Sequence, residues 1–135
     1  MATVSQADEH AIRHVIDSAY RSLAFDPGDE PDWQAFSSPF DDRAVLALRV
    51  FPQDAQVRVL DLAEYAQAQM GNGLQEQGYS EEPGQGTIEV FGDVALVRQF
   101  FTMVFVDRRV SAIDVFSLAR IDGAWRIVAV VSDLA

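Results

Sequence analysis

The sequence contains no cysteine and no lysine, has only two histidines, and carries no apolar run approaching the roughly 20 residues that span a bilayer. Each absence excludes something. Without cysteine there is no disulfide framework and no thiolate metal site, and two imidazoles cannot build a structural zinc centre, so no metal is expected. Without lysine the ten positive charges are all arginine, set against 21 Asp and Glu, for a net charge of −11. Such a surface repels phosphate backbones and anionic lipid, so neither nucleic acid nor a membrane is an expected partner. The opening Met1-Ala-Thr-Val-Ser-Gln-Ala-Asp-Glu-His10 lacks the basic-then-apolar pattern of a secretion signal, and a cytoplasmic protein is expected. What is present, 49% hydrophobic and 23% charged residues over 135 positions, is the balance of an ordinary globular chain, and this length predicts one domain over residues 1–135.

The periodicity divides the chain in two. Ile12, Val15, Ile16, Ala19, Tyr20, Leu23 and Ala24 recur at three-and-four spacing and predict a helix from Ser5, whose side chain can cap it with Asp8 three positions on. Phe25-Asp-Pro-Gly-Asp-Glu-Pro31 ends that helix, and Asp32 can cap a short one carrying Trp33 and Phe36. Ala44–Phe51 reads as a strand closed by Pro52. Asp61 and Glu64 predict a capped third helix with Leu62, Tyr65 and Met70 on one face, and the Gly- and Pro-bearing stretch from Gly78 to Gly86 reads as loop. From Thr87 onward β-branched and aromatic runs predict strands over 87–91, 94–106, 110–121 and 125–131. Gly92-Asp93 and Asp122-Gly123 serve as hairpin turns. Helices followed by antiparallel hairpins predict an α+β domain, with one curved sheet against helices on a single face.

If Asp107-Arg108 is a two-residue turn, Phe105 lies opposite Val110, Met103 opposite Ala112, and Phe101 opposite Asp114. Alternation then puts Phe101, Met103, Phe105, Val110, Ala112 and Asp114, with Phe116, on one face, and Phe100, Thr102, Val104, Ile113 and Val115 on the other. Both faces are mostly apolar. The helices can cover one, so a second copy of the chain is expected to cover the outer one, as a homodimer. Asp114 is the anomaly, a carboxylate inside an apolar run. Burial would raise its pKa and make it a neutral hydrogen-bond donor, whereas pairing with an arginine or placement at a dimer seam would make it structural. Tyr20, on the inner face of the first helix, is a second candidate donor, or core with a locally satisfied hydroxyl.

The long N-terminal helix with Tyr20, the Trp33…Phe40-Asp-Asp-Arg-Ala-Val45 stretch, Ile88-Glu-Val-Phe-Gly-Asp-Val-Ala95, and the ending Phe116-Ser-Leu-Ala-Arg-Ile-Asp-Gly-Ala-Trp-Arg-Ile127 together resemble the nuclear transport factor 2-like superfamily. That superfamily includes ketosteroid isomerases, SnoaL-like polyketide cyclases and scytalone dehydratase. The resemblance implies a cone-shaped, cystatin-like fold whose mouth holds a small apolar molecule, without a cofactor and commonly as a dimer. Ala112-Ile-Asp114-Val-Phe116 looks like the segment carrying the isomerases' buried aspartic acid, and Tyr20 falls where they keep a hydrogen-bonding tyrosine. Their aspartate base has no counterpart, because its position falls near Leu48, beside Arg49.

The remaining chemistry-bearing residues read as surface. His14 lies off the buried helix stripe, while Asp41-Asp42 and Glu81-Glu82 read as loop charges or caps. Gly71-Asn-Gly73 and Gly84-Gln-Gly86 lack the strand and helix of a phosphate cradle. Arg49 or Arg98 could fix an acidic ligand, with Arg98 placed outside by parity with Phe100. The expectation is therefore a small-hydrophobic-ligand pocket. Tyr20 and Asp114 would polarise a carbonyl for an isomerase, cyclase or dehydratase step, and Trp33, Phe101, Met103, Phe105, Ala112 and Phe116 would line the site. The alternatives are a non-catalytic dimeric binding module and a purely structural dimer with a filled cone.

Overall fold

A computed structural model describes residues 5–135. Helix α1 (Gln6–Leu23) is capped by the Ser5 hydroxyl, which accepts from the Asp8 N–H, and it buries Ile12, Ile16, Ala19, Tyr20 and Leu23. Helix α2 (Trp33–Ser37) starts at Asp32, whose carboxylate accepts from the Ala35 N–H. Strands β1 (Phe40–Leu48) and β2 (Arg58–Leu60) form a small antiparallel pair. Helix α3 (Leu62–Gln69) opens on a complete Asp61–Glu64 capping box, and a single turn, α4 (Leu74–Gln77), follows. Four long strands complete the chain: β3 (Ser80–Phe91), β4 (Val94–Val104), β5 (Arg109–Ile121) and β6 (Ala124–Leu134).

All six strands form one sheet in the order β2-β1-β6-β5-β4-β3. Only β1 and β6 run parallel. The helices gather on one side, where α1 packs against β3 and β6, and α3 against β1. The tight hairpins use backbone that few residues tolerate, with Asp122 and Gly123 both at positive φ between Ile121 and Ala124, which pair. Gly92 likewise turns β3 into β4.

Three local readings of the sequence are corrected. Asp107-Arg108 is not a two-residue turn. Phe105 to Arg108 form a four-residue loop closed by the Phe105 N–H donating to the Arg108 carbonyl, and Phe101 pairs with Ala112, Met103 with Val110 and Gln99 with Asp114. The shift is an even number of residues, so the faces survive: Phe101, Met103, Phe105, Ala112, Asp114 and Phe116 are buried, while Phe100 is half exposed. The first strand begins at Phe40 rather than Ala44, and Asp41 stabilises an irregularity there by accepting from the Arg43 N–H. The expected loop from Gly78 to Gly86 is mostly the start of β3, an edge strand. An edge position tolerates Pro83, whose missing N–H costs no second ladder.

Two irregularities decide what faces inward. Between Pro83 and Gly86 β3 carries one extra residue relative to β4. Ile88 and Val90 face the core beside Val97 and Ala95, and simple alternation back from them would send Glu82 inward. The bulge reverses the phase and places Glu81 there instead, opposite buried Met103. The bulge is held by Gln99, a buried side chain whose amide donates to the Gly84 carbonyl at 2.8 Å, and by Arg13, which donates to the Gly86 carbonyl at 3.1 Å. In β6 the register shifts between Ile127 and Ala129, so Trp125 and Ile127 point inward but so do Val130 and Ser132.

Candidate functional site

The inner side of the sheet and the helices enclose a cavity of about 60 Å³. Phe36 and Phe40, Leu46 and Leu48, Phe101 and Met103, Ala112 and Phe116 supply most of its apolar wall. Its polar groups are Tyr20, Tyr65, Glu81, Asp114 and Ser132, with Arg49 and Asp133 at the exposed end beside Leu134. The volume is that of a few water molecules, which suits a small compound.

Asp114 sits on β5 with its side chain among Phe101, Phe116 and Tyr20. The Tyr20 hydroxyl donates to Asp114 Oδ2 at 2.7 Å, joining residues 94 positions apart. Tyr20 is itself clamped between Phe101 and Phe116, with ring centroids 5.6 and 6.0 Å away. Ser132, opposite Asp114 on β6, adds a second hydroxyl. Burial raises the Asp114 pKa, and the Tyr20 and Ser132 hydroxyls beside it pull it back, leaving it at about 6. Burial, reinforced by the adjacent Asp114 charge, holds the proton firmly on Tyr20. Tyr20 and Asp114 are thus donor and acceptor of one bond, not two donors converging on an empty point.

Glu81 is the residue that sequence reasoning missed. Its carboxylate accepts from the Tyr79 hydroxyl at 2.5 Å and lines the cavity together with Asp114. Burial and the Asp114 charge raise its pKa to about 8, against the lowering effect of Tyr79. Asp114 accepts from Tyr20 and has the Ser132 hydroxyl close by, whereas Glu81 has Tyr79 alone, so near neutral pH the ionised form belongs on Asp114 and the proton on Glu81. Tyr65 and Tyr79 are held protonated first by burial and then by the nearby Glu81 charge.

Other expected residues lie elsewhere. Trp33 is not in the wall; it packs edge-on against Phe36 and Tyr65 at 5.7 and 6.3 Å, one layer behind the cavity, because those two rings occupy the wall in front of it. Phe105 points to the helix side but beyond the cavity's end, packing at a tilt against Tyr79 at 5.0 Å beneath the Arg108 guanidinium. Arg98 is exposed and pairs with Glu89 at 3.2 Å, and His14 is exposed on α1. Among the described residues no group of three His, Asp or Glu side chains could hold a metal ion. No described helix is long and apolar enough to cross a membrane.

No family model matches this sequence, and no curated protein matches it closely enough to count. Solved structures do match over nearly the whole chain. A protein of unknown function with a cystatin-like fold from Nostoc punctiforme superposes with a TM-score of 0.76 at 16% identity, covering 99% of this chain and 96% of its own. An NTF2-like protein of unknown function from Pseudomonas putida gives 0.74 at 19% identity, with 97% and 89% covered, and another from Methylobacillus flagellatus gives 0.70 at 19%, with 98% and 96% covered. The chain therefore has the cystatin-like, NTF2-like fold, α+β with helices against one curved, mainly antiparallel sheet. At these identities the likeness is one of architecture, and the chemistry must be argued from the side chains.

Proposed function

We propose that the cavity binds a small, largely apolar carbonyl compound and catalyses a proton shift without a cofactor. The observation that carries the reading is the pair of carboxyl groups, Asp114 and Glu81, sharing one apolar cavity while hydrogen bonding separates their acidities. Asp114, held ionised by Tyr20 and Ser132, is placed to act as base. Glu81, protonated at neutral pH, is the acid. Asp114 takes a proton from the carbon next to the carbonyl; the C–H electron pair forms a carbon–carbon double bond as the carbonyl oxygen takes the proton of Glu81. Where the substrate carries a carbon–carbon double bond one position further along, the enol is a conjugated dienol, and return of the Asp114 proton to its far (γ) carbon, with Glu81 recovering the proton on oxygen as the carbonyl re-forms, completes an isomerisation. Where the substrate instead carries a hydroxyl on the β-carbon, Glu81 recovers the enol proton and passes it to that hydroxyl, which leaves as water with the C–O electron pair while the carbonyl and an α,β double bond form, a dehydration that leaves the α-proton on Asp114. Tyr65 adds a hydroxyl in the wall that can support the oxygen as charge develops.

This assignment makes Asp114 the base and Tyr20 its positioning residue, in place of two polarising donors, and it supplies from β3 the carboxylate that the first strand lacks at Leu48. The test is solvent-deuterium exchange at the α-carbon of a panel of small ketones, followed by NMR. The wild type should exceed Asp114→Asn by at least about 100-fold, the usual contribution of a positioned base. Equal rates for the two proteins, with Asp114→Asn folded, refute catalysis; retained, saturable binding of the ketones would then favour a non-catalytic binding module.

The outer sheet face supports a second proposal, a homodimer through that face. Phe100 is 50% exposed and Val131 56%, on the side of the sheet away from the described helices. Sedimentation of Phe100→Glu as a monomer against a wild-type dimer would support it, and a monomeric wild type would end it.

A further inference from the structure

Arg49 follows the last residue of β1 and is the one cation in the wall of the cavity among the described residues. Its side chain is 26% exposed, and its partner Asp133 is 54% exposed. Both contacts between them are 3.3 Å and both run through Nη1, so the Nε–Nη2 edge of the guanidinium is not engaged by that carboxylate. An open ion pair of this length contributes little and exchanges readily, whereas a planar guanidinium edge matches a carboxylate bidentately. The position fits the reaction centre as well. Asp114 faces Ser132, and Ala47 pairs with Val131, so Arg49 follows two strands away from Asp114, about 10 Å at the usual strand spacing. A ligand of a few carbons can touch both. The rest of the cavity's charge is acidic, on a chain of net charge −11, and would repel an anion everywhere except at this end.

We infer that the substrate is a small organic acid whose carboxylate displaces Asp133 on Arg49 while its carbonyl-bearing carbons reach Asp114 and Glu81. The inference rests on the cavity reading above. Levulinate and its neutral amide, levulinamide, titrated calorimetrically into the purified protein at neutral pH, separate the two. Levulinate should bind at least tenfold more tightly than the amide, and its affinity should fall with added salt. Arg49→Gln should weaken levulinate at least tenfold and leave the amide unchanged, and Asp133→Asn should tighten levulinate alone. Equal binding of acid and amide to the wild type, or equal losses for both in Arg49→Gln, overturns the role of Arg49 and leaves the cavity reading standing. If neither probe binds, or if Ala112→Phe, folded by circular dichroism, binds both as before, the cavity reading fails and this inference with it.

Discussion

Replacing Glu81 by glutamine tests the electrostatics of the cavity directly, because the side chain keeps its shape and loses its ability to ionise. Glu81 is pushed up to about 8 in the folded protein from an ordinary 4.5. A folded-state pKa above the unfolded value means that stability is fully present below about 4.5 and is lost as pH rises through about 8, where the folded protein must ionise a carboxyl already facing Asp114. The full shift corresponds to about 5 kcal/mol at 1.36 kcal/mol per unit, an upper bound that water at the half-buried edge of Glu81 reduces to about 2–3 kcal/mol. Glu81→Gln should therefore be more stable than the wild type by about 2–3 kcal/mol near pH 9 and nearly equal to it near pH 5. Urea denaturation followed by the fluorescence of Trp33 and Trp125 measures both differences. A stability difference that is the same at the two pH values would refute the reasoning, for it would mean that Glu81 ionises in the folded protein as an exposed carboxylate does.

Three further perturbations probe the framework around this pair. Tyr20→Phe removes the 2.7 Å donor to Asp114, so the Asp114 titration observed by carbon NMR should move up from about 6 by about one to two units, with a loss of about 1.5–3 kcal/mol at pH values where Asp114 is ionised. An unmoved titration would show the hydrogen bond to be unimportant. Gly86→Ala would drive a new Cβ into Gln99 Oε1, and thermal denaturation should show a loss of about 1–3 kcal/mol as the Gln99 side chain is driven off the Gly84 carbonyl. Asp61→Ala deletes the capping box of α3 and should cost about 0.5–2 kcal/mol by urea denaturation, with the sheet intact.

Much of the architecture is legible in local patterns. Helix α1 follows from one apolar stripe and the Ser5 cap; α3 follows from Asp61 and Glu64; Asp122-Gly123 marks its hairpin because both residues tolerate positive φ. The inward set on β4 and β5 follows from alternation alone and survives an error of two residues in register, since faces repeat every second residue. That is why the sequence could place Asp114 on the same face as Phe101 and Phe116, while leaving open whether an arginine or a subunit seam would meet it there.

The partners of that carboxylate were another matter. Glu81 and Ser132 face inward only because β3 and β6 each carry an irregularity that reverses the alternation, and one extra residue in a strand leaves no mark in composition. Glu81 and Glu82 are adjacent and chemically alike, so which one entered the cavity was settled by Gln99 and Arg13 gripping the backbone at Gly84 and Gly86 from other elements. The local sequence determined which elements form and which faces are oily, because those depend on near neighbours along the chain. Tertiary structure alone decided that Tyr20 hydrogen-bonds Asp114 and that two carboxyl groups with raised pKa values line one cavity, because distances across the fold and the hydrogen bonds made there set those energies.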